Sequence, residues 1–97
     1  MGLSELGPGA SRQRPAAVFD FEILDDATGP GQEVRCRHRD DPTRATDPMP
    51  FTPYTITAEG TWYPKRGERA IVLEPVNGPP VITDWWPAAG RVPDVFA

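Results

Sequence analysis

The sequence predicts an all-β domain, a small closed or partly open barrel of five short strands, and three observations lead there. The 97 residues include 13 prolines and 9 glycines, which argues against a helical bundle: proline removes a helix donor, and glycine supplies the positive φ that turns need. Apolar residues recur at every second position in several runs, the period of a half-buried strand. Clusters of turn residues separate those runs, among them Asn77-Gly78, a pair whose tolerance of left-handed backbone angles suits a tight turn. A chain of this length carries one core, because a second would bury too little apolar surface to offset its chain entropy.

Residues 1–16 mix Gly, Pro, Ser and Arg with few large apolar groups, the composition of a flexible arm or of one that orders on a neighbouring subunit. The domain is expected over 17–90. In "AVFDFEIL" (17–24), Phe19, Phe21 and Ile23 point one way and Asp20 and Glu22 the other. The turn-rich "DDATGPGQ" follows, and "EVRCRHR" (33–39) resumes the alternation with Val34, Cys36 and His38 opposite Arg35, Arg37 and Arg39, so the two runs make a hairpin. Pro42, Pro48, Pro50 and Pro53 make "DDPTRATDPMPFTP" (40–53) a long irregular connection, the kind of loop that serves as a contact surface. "YTITAEG" (54–60) is the third strand, "ERAIVLEP" (68–75) the fourth and most apolar, and "PPVITDWW" (79–86) the fifth. A tail, 91–97, offers Val92, Val95 and Phe96 for docking.

The formal net charge of −4 repels phosphate on average, so nucleic acid is not the expected partner. The lone Cys36 excludes an internal disulfide. The N-terminal residues lack the apolar stretch of a signal peptide, no segment has the ~18 apolar residues of a membrane span, and the residue at position 6 is Leu rather than the Ser or Thr of a myristoylation pattern.

Residues 63–87, "YPKRGERAIVLEPVNGPPVITDWWP", have regular punctuation: a proline, a glycine followed by an acid, a β-forming run, an Asn-Gly turn, two prolines and a second β-run ending in paired tryptophans. Gly67 can turn the chain into its strand, and Pro79 and Pro80 remove two amide donors and so blunt a strand start against unwanted pairing. This stretch resembles the signature of the oligonucleotide/oligosaccharide-binding (OB) fold domain of phage baseplate assembly and tail-spike hub proteins and of the related type VI secretion spike proteins. The matching positions are Pro64, Gly67, Glu68, Arg69, Ile71, Val72, Leu73, Gly78, Pro80, Val81, Ile82 and Trp85, and "EVRCRHR" resembles that family's basic second strand. The resemblance implies an OB-like barrel in a virion, in the tail or baseplate, after synthesis in the host cytoplasm. Larger members of the family carry a β-helical spike, a hub or a lysozyme domain, for which 97 residues leave no room, so the expectation is a stand-alone barrel.

The side chains point to packing rather than chemistry. Ser4 and Ser11 are the only serines and nothing in the sequence places a base beside them, "GPG" lacks the helix and lysine of a phosphate cradle, and Cys36 with His38 supplies two of the four ligands a structural zinc wants. No catalytic residue, cofactor or metal is therefore expected. Trp62, Tyr63, Trp85, Trp86 and Phe96 are the interface candidates: adjacent strand residues face opposite ways, so one member of each aromatic pair is left for the tail or another subunit to cover. Arg35, Arg37 and Arg39 form a possible basic contact strip, with Asp25, Asp26, Glu33, Asp40 and Asp41 close enough in sequence to pair with it. The expected partners are other virion or tail subunits, including copies of the chain itself. The alternatives are a head-tail connector or capsid decoration protein, and a nucleic-acid-binding OB domain that uses the arginine strip.

Overall fold

A computed structural model of the chain describes residues 17–97; the expected arm, residues 1–16, lies outside the described residues. Nine strands and no helix form among these residues: β1 (Ala17–Ile23), β2 (Glu33–Val34), β3 (Cys36–His38), β4 (Met49–Pro50), β5 (Tyr54–Ile56), β6 (Gly60–Trp62), β7 (Arg69–Glu74), β8 (Val81–Trp86) and β9 (Val95–Phe96). Antiparallel pairing arranges them as a four-stranded sheet in the order β3-β1-β7-β8, a two-stranded sheet β2-β4, and a three-stranded sheet β5-β6-β9.

The all-β class is as expected; the strand count is corrected from five to nine, and where a closed or partly open barrel was expected the ladders divide into three sheets with no closed barrel among the described residues. Proline and side-chain competition explain the fragmentation. Pro48, Pro50 and Pro53 cannot donate to a ladder, so the stretch read as wholly irregular contributes only the two-residue β4. The run 33–39 splits at Arg35, whose amide donates to the Asp25 carboxylate at 2.8 Å rather than to a strand. Its first part pairs with β4 and its second with β1.

Alternation delivers the core. Phe21 and Ile23 of β1, Val34, Cys36, Ala70 and Val72 are buried on one side, while on the other Glu22 pairs with Arg37 and Asp20 with Arg69. Each large apolar side chain so buried contributes about 1.5–3 kcal/mol. The register of β7 and β8 breaks between Ile71, opposite Asp84, and Val72, opposite Ile82, leaving Thr83 as an extra residue. This bulge inverts the phase of β8. Ile82 and Trp85, three positions apart, consequently both pack on the core, and Trp86 is turned outward.

The turn expectations are met at the glycines. Gly67 (φ +90°) leads into β7 and Gly78 (φ +113°) lies between β7 and β8, but Asn77 keeps a negative φ. The connection from Glu74 to Val81 is too long for the two-residue turn that an Asn-Gly pair suggests.

Candidate interaction surface

The aromatic candidates divide by burial. Trp62 and Trp85 are each 5% exposed, and each indole N–H finds a backbone acceptor, Arg91 O for Trp62 and Thr52 O for Trp85, both at 2.7 Å. Tyr54 meets both rings edge-on, with centroids 5.7 Å and 6.0 Å away. Tyr63 is buried as well; it lies just past the end of β6 and so escapes strict alternation. Its amide donates to Asp94 Oδ2 and its carbonyl accepts from Arg91 Nη2, both at 2.7 Å. Trp86, at 40%, and Phe96, at 69%, are exposed.

A polar cluster binds residues 88–97 to the rest of the chain. Glu68, buried after the turn at Gly67, accepts hydrogen bonds from the amides of Lys65 and Ala88 and from the Arg91 guanidinium, whose nitrogens lie 2.8 and 2.9 Å from its two oxygens. Asp94 accepts from Arg91 Nη1 at 3.1 Å, and Lys65 Nζ lies 3.3 Å from its other oxygen. Lys65 Nζ also donates to the Ala27 carbonyl. Burial works against ionisation of Asp94, but the Tyr63 amide, Arg91 and Lys65 outweigh it and hold the carboxyl below its ordinary range. Burial likewise disfavours the Arg91 charge, and its two carboxylate partners more than offset that.

This clamp lets β9 run beside β6, where Asp94 N donates to Thr61 O at 2.9 Å. Gly60 makes the approach possible: at φ +141°, an added Cβ would sit 2.2 Å from the Val95 carbonyl oxygen. Glu68, Arg91 and Asp94 were absent from the sequence-based candidates. Their available signals were an acid set between a glycine and an apolar strand, and a lone Arg-Asp spacing in an otherwise apolar tail.

Above the clamp the surface is apolar. Ile56 and Phe96 flank Gly60 across the three-stranded sheet, and a groove of about 460 Å³ is lined by Ile56, Trp86, Pro87, Val92 and Pro93. The Arg69 guanidinium lies 5.2 Å from the Trp86 ring and pairs with Asp20 at 2.9 Å, which fixes the indole while leaving part of it in solvent.

The arginine strip is largely neutralised. Arg35 pairs with Asp25 at 2.6 Å and Arg37 with Glu22 at 3.5 Å; Arg39 is exposed and has no ion-pair partner among the described residues. Hydrogen bonds from the Arg35 side chain and amide pull the Asp25 carboxyl down to about 2. Cys36 is buried, and burial pushes its thiol up to about 12, which makes it a core filler and a poor nucleophile. His38 packs against Phe19 and Phe21 and accepts the Asp40 amide on Nδ1 at 3.0 Å. Among the described residues no group of three His, Cys, Asp or Glu side chains is placed to hold a metal ion, and no helix is long and apolar enough to cross a membrane.

Comparison of the chain with protein-family models, with curated proteins and with solved structures finds no match in any of the three.

Proposed function

We propose that the chain is a non-enzymatic structural protein of a phage tail, baseplate or related injection assembly, acting through protein-protein packing of a small OB-like β-domain in the virion. The observation that carries the reading is the apolar surface around Ile56, Trp86, Val92 and Phe96, all exposed on the chain alone. Apolar area gathered in one patch marks an interaction site more often than scattered single residues do. The chain's own tail forms part of that surface and is held rigid by the Glu68 clamp, so the surface is preorganised for a neighbour.

The OB-like reading draws support from the order of neighbours. Ladders link β3-β1-β7-β8, β4 lies against β8, β4 pairs with β2, and β2 and β3 are two parts of one run, so the neighbours follow one another around the core. The contact between β4 and β8 carries no ladder, as expected where a small barrel remains partly open. Copies of one chain arranged around an axis are the natural oligomer for such a unit.

Quantitative mass spectrometry of purified particles, with antibody imaging, tests the assignment. Copies in ring-like numbers at the tail support it; copies in shell-like numbers on the head mean a connector or decoration protein, and absence from particles removes the structural reading. Trp86→Ala is expected to cut assembly while the isolated chain loses only about 1 kcal/mol with the Arg69 contact. A Trp86→Ala chain that unfolds outright excludes Trp86 as an interface residue.

A further inference from the structure

The four-stranded sheet has a second face, turned away from the core, and its registers determine which side chains that face carries. Directly paired residues of antiparallel strands project to one face, and alternate residues of a strand share it. Since Phe21, Ala70, Val72 and Trp85 point into the core, the outer face is laid out in rows. One row runs Arg37, Glu22, Arg69, Trp86 from β3 to β8. The next runs Arg39, Asp20, Ile71, Asp84; Arg39 stands one residue past β3, where its amide donates to the Asp20 carbonyl at 3.0 Å. The last is apolar, with Val18, Leu73 and Val81 side by side. All of these residues are exposed or half-buried on the chain alone.

Charge on this face changes sign from strand to strand: Arg37 and Arg39 at β3, Asp20 and Glu22 on β1, Arg69 on β7 and Asp84 on β8. Within the chain, Glu22 pairs with Arg37 and Asp20 with Arg69. Arg39 and Asp84, at opposite edges of the sheet, have no ion-pair partner among the described residues. Three strand spacings of ~4.8 Å hold them about 14 Å apart at the backbone, so they do not meet within one chain.

We propose that this outer face binds a second copy of the chain, the two sheets stacked about a two-fold axis that runs along the strands. Such an axis lays β3 over the partner's β8 and β1 over the partner's β7. Arg39 then faces the partner's Asp84, and Asp84 the partner's Arg39, so both unpaired charges are answered. Stacked sheets lie about 10 Å apart, a gap that an arginine and an aspartate side chain span together. The same rotation sets Glu22 against the partner's Arg69, Arg37 against the partner's Trp86 ring, and Val18 against the partner's Leu73. The other stacking axis, across the strands, lays every strand on itself, arginine on arginine and acid on acid, and charge opposes it. The face is four strands wide and three rows long, roughly 14 by 13 Å at the backbone, so the pairing belongs to the small, reversible class of interface. This inference goes beyond the assembly reading and does not rest on it, since the surface around Ile56 and Phe96 belongs to the three-stranded sheet.

The test is sedimentation equilibrium of the full chain at concentrations up to about 1 mM, where a reversible dimer is expected. Arg39→Asp places two carboxylates at each proposed ion pair and Asp84→Arg two guanidiniums, so each variant alone should raise the dimer Kd by about tenfold or more. Mixed in equal amounts, the two variants regain opposite charges at both contacts, and a heterodimer with a Kd near that of the parent is expected. Both side chains are exposed, so each variant should keep the parent melting temperature. A parent chain that stays monomeric throughout overturns the proposal. So does a dimer that neither charge reversal weakens, or a mixture that stays as monomeric as its components. A dimer that Phe96→Ser abolishes while both charge reversals spare it pairs through the other sheet, and that too overturns the proposal.

Discussion

In the four-stranded sheet, Phe21, Ile23, Ala70, Val72 and Trp85 reach the core from strands joined by long ladders. In the three-stranded sheet, β9 adds two residues, leaves Val95 and Phe96 exposed, and follows a tail segment that is fixed by hydrogen bonds from Arg91 to Glu68 and Asp94. Apolar burial is non-directional and follows periodicity, so it tolerates variation around each contact. A buried ion pair is directional and depends on both partners, since removing one strands the other in a low dielectric. The two regions should therefore fail differently when damaged.

The largest effect is expected in the first region. Phe21→Ala removes a ring that is 1% exposed and should cost about 3–5 kcal/mol in chemical denaturation, with all probes of the fold moving together. Arg91→Ala should cost about 3 kcal/mol, near the low end for a broken buried pair, because two amides still serve Glu68. Its signature is local: Trp62 loses the cover of the tail, so tryptophan emission shifts to the red and the amides of Asp94 and Ala97 exchange faster than those of β1 and β7. Adding Glu68→Gln to Arg91→Ala should recover part of the loss, because the uncompensated charge goes. If Arg91→Ala instead loosens both sheets equally, the two regions are one cooperative unit and the contrast between them fails.

Gly60→Ala sharpens the contrast without touching any charge. The new methyl would collide with the Val95 carbonyl and with Pro93 Cβ, at 2.2 and 2.9 Å, so β9 must move away. A cost of about 2 kcal/mol, typical of overpacking, is expected together with loss of exchange protection at Ala97, while the β1-β7 ladder keeps its own.

These two modes of attachment also explain what could be read from the sequence. Strands with period-two burial, β1 and β7, were legible to within a residue or two, as were the inward Val34, Cys36 and His38, because alternation is written in the residues. Which tryptophan of the 85–86 pair turns inward was not legible, since the bulge at Thr83 sets it, and a bulge follows from cross-strand register. Both members of the 62–63 pair are buried, which alternation alone would forbid. Tyr63 is held by tail residues about 30 positions away. The clamp itself was not legible because Glu68, just after a turn, has the appearance of a surface acid until the tail is folded over it.

The smallest expected effect concerns the link between Asp25 and Arg35, which breaks the second predicted strand. The Asp25 carboxyl lies at about 2, below its ordinary 3.8, and a group whose folded-state pKa is depressed stabilises the fold above its unfolded pKa. That contribution is complete above about pH 4 and lost as the pH falls toward about 2. Asp94, lowered in the same direction, adds to the same acid limb. The pair is partly exposed to solvent, so at neutral pH Asp25→Asn should cost no more than about 1 kcal/mol. It should also flatten the decline of melting temperature between pH 4 and 2 relative to the parent chain. Because Arg35 then loses its carboxylate, the same variant tests whether the strip can act on phosphate. Salt-sensitive oligonucleotide binding gained by Asp25→Asn and removed by Arg35→Ala would show a latent basic surface, and continued absence of binding at low salt would leave the strip as an intramolecular strand-breaking contact.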